Sequence, residues 1–259
     1  MSISYSEMMA WLGVFWFPFV RCAGFFIMTP IFGDGAVPSR VKILLAGVIC
    51  LLIMPLIDSS KLPLFNPFTF NTVLLTFYQL LFGGLLGFVV LLFFTIYTMA
   101  GQAISMQMGL AMAIMNDPSN GISVAIIGRF YLIFCTLLFL SFDAHLVILS
   151  IFVDSFNHWH LGSTLPLTGM TEIVQMLGWV IGSALMIAAP AIAIMLLSNV
   201  AFGFMSKAAP SLNIFALGFP MTIILGMFAL AVSMTGVGDN YFDLVLSMQD
   251  RMNSILRLD

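Results

Sequence analysis

Apolar residues run along this chain in long unbroken blocks separated by short polar punctuation. Six blocks stand out: 8–32, 41–57, 73–99, 122–140, 173–197 and 212–234. None alternates apolar with polar, and each far exceeds the length of a strand, so the pattern predicts helices. A helix needs about 20 apolar residues to cross a hydrocarbon core, which most blocks supply and 41–57 barely does. The breaks carry turn chemistry: Gly33-Asp34-Gly35, Asp58-Ser59-Ser60, the run from Asn116 to Gly121, and Gly236-Val237-Gly238-Asp239-Asn240. A shorter apolar stretch, 146–156, follows Ser141-Phe142-Asp143-Ala144-His145 and predicts either a continuation of the preceding helix or a fold back against it. The tail behaves differently. Leu244, Met248, Met252, Ile255 and Leu256 form one helical stripe, with Asp243, Ser247, Asp250, Asn253 and Arg257 around it. That is an amphipathic helix suited to a membrane surface or to a protein partner.

Three features disturb a simple six-span reading. Pro18, Pro30 and Pro190 interrupt apolar blocks, and each removes a backbone hydrogen bond that lipid cannot replace. Arg21 and Arg129 lie inside blocks, where a charge at mid-bilayer costs at least about 2.5–3.5 kcal/mol, so both are expected to face protein or water. The positive-inside rule gives no orientation. With six spans, Lys61, Arg251 and Arg257 fall on one side and Arg40, Lys42 and Lys207 on the other.

Composition narrows the class. Hydrophobic residues make up 61% and charged residues 7% of the 259 positions, against about 25% charged in soluble domains, so an ordinary wetted surface is excluded. Eight basic residues and a net charge of −3 leave no electrostatic footprint for nucleic acid. Residues 1–7 lack Lys and Arg, and the block behind them is too long for a signal core, so the N-terminus is expected to stay on the mature protein. Cys22, Cys50 and Cys135 lie in apolar blocks without metal or CxxC spacing and are expected as buried thiols. No internal repeat or long linker appears, and one unit is the simplest organisation.

Candidate chemistry is thin. His158 and His160 form an HxH that, with Asp154 or Glu172, can be drawn on paper as a metal site. Only an extended strand puts both on one face, so a polar loop between helices is the better reading. Asp143 and His145 lack a serine in a strained Gly-rich turn, which leaves no nucleophile for a triad. Gly182-Ser183 reads as helix packing. Gly83 and Gly87 make a GxxxG-like face where another helix can approach closely. The informative segment is 99–123, carrying Met99, Met106, Met108, Met112 and Met115 and ending in Asn116-Asp117-Pro118. Alone, such a stripe is core filler. Gly109 and the Asn-Asp-Pro turn make it a poor continuous span, which favours a loop entering a cavity, lined with flexible apolar side chains.

Three stretches together resemble one family, the FliR-type flagellar export proteins and their virulence-system relatives. The first runs from Phe17-Pro18-Phe19-Val20-Arg21 through Thr29-Pro30-Ile31-Phe32-Gly33 and Val37-Pro38-Ser39-Arg40-Val41-Lys42 to Met54-Pro55. The second is 103–118, with Gln107-Met108-Gly109 and Asn116-Asp117-Pro118. The third is 202–220, with Lys207-Ala208-Ala209-Pro210, Leu212-Asn213-Ile214-Phe215 and Gly218-Phe219-Pro220. Asp143-Ala144-His145-Leu146 with Ser155-Phe156 adds a weaker fourth. The order is kept over nearly the whole chain; Lys207 and Ser211 depart from the family's pattern, and the Gly-Phe-Pro ending looks flagellar rather than virulence-type.

The resemblance implies an all-α membrane protein of hydrophobic helical hairpins with Pro-broken helices, packed in a helical ring with partner subunits. It implies a FliP-like half over 1–160 and a FliQ-like half over 161–259 ending in the amphipathic helix. The function implied is that of a non-catalytic core subunit of the flagellar type III export gate in the bacterial inner membrane, within the basal body. It works without cofactor or metal, beside FliP-like, FliQ-like and FlhB-like proteins and lipid, and passes unfolded export substrates. A plug maps to about 107–123, with Met106, Met108, Met112, Met115, Asn116, Asp117 and Pro118 as gate residues. Arg21, Arg129, Asp143 and Lys207 are the implied buried or assembly charges, and Pro18, Pro30, Pro38, Pro210 and Pro220 the structural turns. A secondary transporter or ion channel shares the broken helices and intramembrane charges. Against it, no paired halves carry matching breaks, and the centres of the blocks hold no acidic residues.

Overall fold

The computed structural model describes residues 5–30, 38–57, 66, 69–109, 126–160, 167–208 and 214–257. Eight α-helices are found among them: α1 Tyr5–Met28, α2 Ser39–Ile53, α3 Phe70–Gln107, α4 Ile126–Ser141, α5 Ala144–His158, α6 Leu167–Ala208, α7 Ile214–Thr235 and α8 Val237–Arg257, with a 3-10 turn Met54–Leu56 after α2. The protein is an all-α membrane protein. Trp11–Met28, Phe70–Gln107 and Val174–Ala208 are long and apolar enough to cross a membrane. The count reaches five if α4 with α5, and α7 with α8, each form one interrupted span.

Two helices outgrow a bilayer. At 1.5 Å per residue, α3 with 38 residues and α6 with 42 extend roughly 57 and 63 Å, about twice a hydrocarbon core of about 30 Å. The Met-rich block therefore begins inside a helix: 99–107 is the last part of α3. By contrast α2, with 15 residues, is roughly 22 Å long, which explains why block 41–57 is marginal as a span. Pro18, Pro190 and Pro220 lie inside α1, α6 and α7, so these helices run on through their prolines. Pro38 stands at the N-cap of α2, where a missing N–H costs nothing, and Pro30 just beyond α1. Pro210 lies outside the described residues.

The stretch 146–156 is a helix of its own, cut from α4 at Phe142-Asp143. Asp143 has φ 55°, a left-handed conformation that Asp tolerates better than most side chains. The tail stripe is buried by the protein itself: Met248 and Met252 are fully buried, and Ile255 and Leu256 nearly so.

The chain divides into two compact units. One comprises Met1–Leu92, Phe142–Met176 and Ser247–Asp259, the other Phe93–Ser141 and Leu177–Leu246. Each draws residues from both sides of position 160. Within the first unit, α1 and α3 cross at backbone distance. A Cβ on Gly24 would lie 2.5 Å from the Leu80 carbonyl oxygen, one on Gly87 2.5 Å from that of Phe25, and one on Gly83 would collide with that of Arg21. Within the second unit, a Cβ on Gly101 of α3 would lie 2.6 Å from the Gly128 Cα of α4. Lipid tails are as apolar as Leu, so hydrophobicity alone gives helices little reason to prefer each other, and close approach through small residues decides the contacts.

Gly83→Ala should therefore destabilise the detergent-solubilised protein by about 1–3 kcal/mol, the usual cost of forcing bulk into a packed contact. Gly182→Ala, with open space around it, should be neutral. Thermal unfolding of both variants checks this; equal melting temperatures would contradict the crossing.

Candidate functional site

The first unit is organised around a guanidinium. Arg21 is fully buried, and among the described residues no carboxylate reaches it within salt-bridge distance. Its Nε donates to Gln79 Oε1 at 2.8 Å, Nη2 to the Trp159 carbonyl at 2.8 Å, and Nη1 to the Ser155 carbonyl at 3.1 Å and Oγ at 3.4 Å. Ser155 Oγ spends its own proton on the Phe152 carbonyl at 2.6 Å, leaving a lone pair towards Arg21. The faces of Phe156 and Phe82 lie 4.2 and 5.3 Å from the guanidinium carbon, and Phe82 stacks on Trp159 at 4.7 Å.

The chemistry follows from where these acceptors sit. The Ser155 and Trp159 carbonyls both sit at the C-terminus of α5, where the helix dipole is negative. The Ser155 carbonyl already takes the Trp159 N–H at 2.9 Å and accepts Arg21 as a second donor, while the C-cap residue Trp159 offers a carbonyl from just beyond the helix. An arginine placed there satisfies those oxygens and is neutralised by partial charge and by aromatic faces. The cluster thus joins α1, α3 and α5 without an acid. Trp16 adds a lighter link, donating from Nε1 to Thr76 Oγ1 at 3.1 Å. Gln79 and Trp159 are absent from the sequence-derived residues. The available signal was that Gln79 is the sole amide side chain within 73–99.

A second polar link ties the other unit. Tyr131 of α4 donates to Ser233 Oγ of α7 at 3.0 Å, and Ser233 donates to the Ile187 carbonyl of α6 at 3.0 Å. Ile187 sits next to Met186, whose carbonyl loses its helical donor to Pro190, so this hydroxyl supports α6 where the ladder is interrupted.

The gate residues divide by placement. Met106 is exposed, whereas Met108 is 1% exposed. Met108 N–H closes on the Ile104 carbonyl at 3.1 Å and Gly109 N–H on Met106 at 3.1 Å, and Gly109 has φ +76°, a left-handed helix terminator. Met108 packs over Gly226 of α7, and its carbonyl accepts from Thr222 Oγ1 at 3.4 Å. Met112, Met115, Asn116, Asp117 and Pro118 lie outside the described residues. Arg129, Asp143 and Lys207, grouped with Arg21 from sequence, lie exposed on the chain taken alone. Of the HxH pair, His158 Nδ1 lies 3.6 Å from Asp154 Oδ2 in its own helix. Cys22, Cys50 and Cys135 are buried free thiols.

Comparison with known proteins adds an independent line. The family described as bacterial export proteins, family 1, matches residues 12–248. The chain is similar to flagellar biosynthetic protein FliR of Pectobacterium carotovorum subsp. carotovorum, 35% identical over 233 residues, covering 87% of this chain and 86% of the relative. It is similar to flagellar biosynthetic protein FliR of Escherichia coli (strain K12), 31% identical over 235 residues, 90% and 89% covered. It is also similar to the surface presentation of antigens protein SpaR of Shigella flexneri, 27% identical over 214 residues, 83% and 82% covered.

Arg21→Leu should strand the Gln79 oxygen and the Trp159 carbonyl, at about 1–3 kcal/mol each and so roughly 2–6 kcal/mol together. Arg21→Lys, which lacks the planar fork, should recover only part of this. Chemical denaturation of the purified variants in detergent checks the order; wild-type stability of Arg21→Leu would rule out the cluster as a structural tie.

Proposed function

Because the chain belongs to the bacterial export proteins, family 1, we propose that it helps form and seal the conduit through which a type III apparatus exports unfolded flagellar proteins. It is a flagellar export-apparatus subunit of the bacterial inner membrane. The observation that carries the reading is the family match over residues 12–248. It spans the helices and the Met-rich segment together rather than one motif.

In this reading the segment 107–123 is the plug, and Met106, Met108, Met112 and Met115 supply its apolar contacts, with Asn116-Asp117-Pro118 turning the chain. Unbranched thioethers suit that task. They exclude water and ions at rest and yield to any passing side chain without specific hydrogen bonds to break. Residues 1–160 act as a FliP-like half and 161–259 as a FliQ-like half, in a helical ring with FliP-like, FliQ-like and FlhB-like subunits. Exposed Arg129, Asp143 and Lys207 are available for contacts within such an assembly, and Arg21 stabilises the subunit from inside. The role is that of a non-catalytic conduit. Helices of roughly 57 and 63 Å suit a gate that extends beyond the thickness of a bilayer, and this supports the ring over a free-standing transporter.

Native mass spectrometry of the chain in mild detergent, alone and co-expressed with FliP-like and FliQ-like proteins, tests the assembly. A hetero-oligomer with one copy of this chain is expected; a monomer or homodimer that ignores both partners would refute the reading. Replacing Met108, Met112 and Met115 by Ala should make the assembled gate leak ions across the inner membrane. Wild-type permeability in an assembled triple variant would remove the methionines from the seal.

A further inference from the structure

The last turn of α3 ends in a fitted seat on α7. Met108 is the final buried side chain before Gly109 turns the backbone left-handed. Its side chain lies over Gly226 so closely that a Cβ there would collide with Met108 Cγ, and would come within 2.6 Å of Cε and 2.8 Å of Sδ. Any residue but glycine fills the space the thioether occupies. Beside it, Thr222 Oγ1 donates to the Met108 carbonyl at 3.4 Å. That carbonyl belongs to a helix end, where the last carbonyls go without an intrahelical partner, and among the described residues the Thr222 hydroxyl is the donor it meets, which compensates it in an apolar setting. Thr222 and Gly226 lie one turn apart on the same face of α7, and each holds a different part of one residue.

We propose that Thr222 and Gly226 are positioning residues of the gate: together they seat Met108, hold the end of α3 in its resting place, and release it when the conduit opens. The proposal rests on the reading above that the segment beginning here closes the conduit. The contact is built for repeated use. A long hydrogen bond and a flexible thioether over a bare Cα hold the helix end, with no ion pair to break. Neither Thr222 nor Gly226 was among the gate residues legible from the sequence.

A disulfide tests the seat directly. A Cβ at 226 lies in contact with Met108 Cγ, so the two Cβ positions fall within about 4 Å, the spacing a disulfide requires. The double variant Met108→Cys with Gly226→Cys, in cells carrying the rest of the export apparatus, should crosslink under oxidant, as read by peptide mapping. Oxidation should lower flagellar protein export roughly tenfold or more, as expected when the competent state is trapped out, and reductant should restore it. In each single-cysteine variant, whatever its level of export relative to wild type, oxidant and reductant should make no difference. Failure to crosslink in the assembled gate, or undiminished export from the crosslinked one, would overturn the proposal.

A second variant removes the donor without adding bulk. Thr222→Val should raise the resting ion leak severalfold at unchanged assembly, and wild-type permeability would likewise overturn the seat. Met112→Ala with Met115→Ala separates the two ideas. A leak there beside wild-type permeability in Thr222→Val refutes the seat and leaves the plug standing. No leak in either refutes the plug, and the seat with it.

Discussion

The unit around α1 depends on one charged side chain whose partners are neutral. In a chain with 7% charged residues, a buried guanidinium has few counter-ions to choose from, and Arg21 takes none among the described residues. It is held by the carbonyl end of α5, an amide oxygen from α3 and two aromatic faces. The arrangement settles two needs together: a cation must be neutralised away from water, and a helix terminus must find donors for its last carbonyls. Removing either side leaves the other unsatisfied, so α1, α3 and α5 are specified as a set.

Glycine supplies the second level of specification. Arg21 can reach α5 past α3 because α1 and α3 touch along Gly24, Gly83 and Gly87, where the Arg21 carbonyl itself lies in the space a Gly83 side chain would need. The second unit repeats the logic with Gly101 against Gly128, and links α4, α7 and α6 through the Tyr131 and Ser233 hydroxyls. Both units obey the same rule: apolar area is abundant everywhere, so contacts are chosen by small residues and by the few hydrogen bonds.

Much of this was legible in residues whose type contradicted their surroundings. A charge in the first apolar block announced Arg21 as interior, and the Gly83 and Gly87 spacing announced a close crossing. The stripe Leu244, Met248, Met252, Ile255 and Leu256 announced the buried face of α8, although its amphipathic period could not say that this chain itself covers it. Helix ends were harder. Nothing in the apolar run 73–99 says that α3 continues to Gln107, because a helix that outgrows a bilayer has the same composition as one that fits. Acceptors were least visible: Ser155 and Trp159 act through backbone carbonyls, which every residue has. The fit of Met108 to Gly226 joins positions more than a hundred residues apart and has no local signature.

The neutral surroundings of Arg21 make the tie indifferent to acidity. A lock built from arginine and a carboxylate opens when the acid is protonated, and one built on histidine closes then. Here the partners are carbonyl oxygens, a hydroxyl and aromatic rings, none of which titrates in the ordinary range. Across a membrane whose two faces differ in proton concentration, the tie between α1, α3 and α5 offers no carboxylate or imidazole for a proton to open.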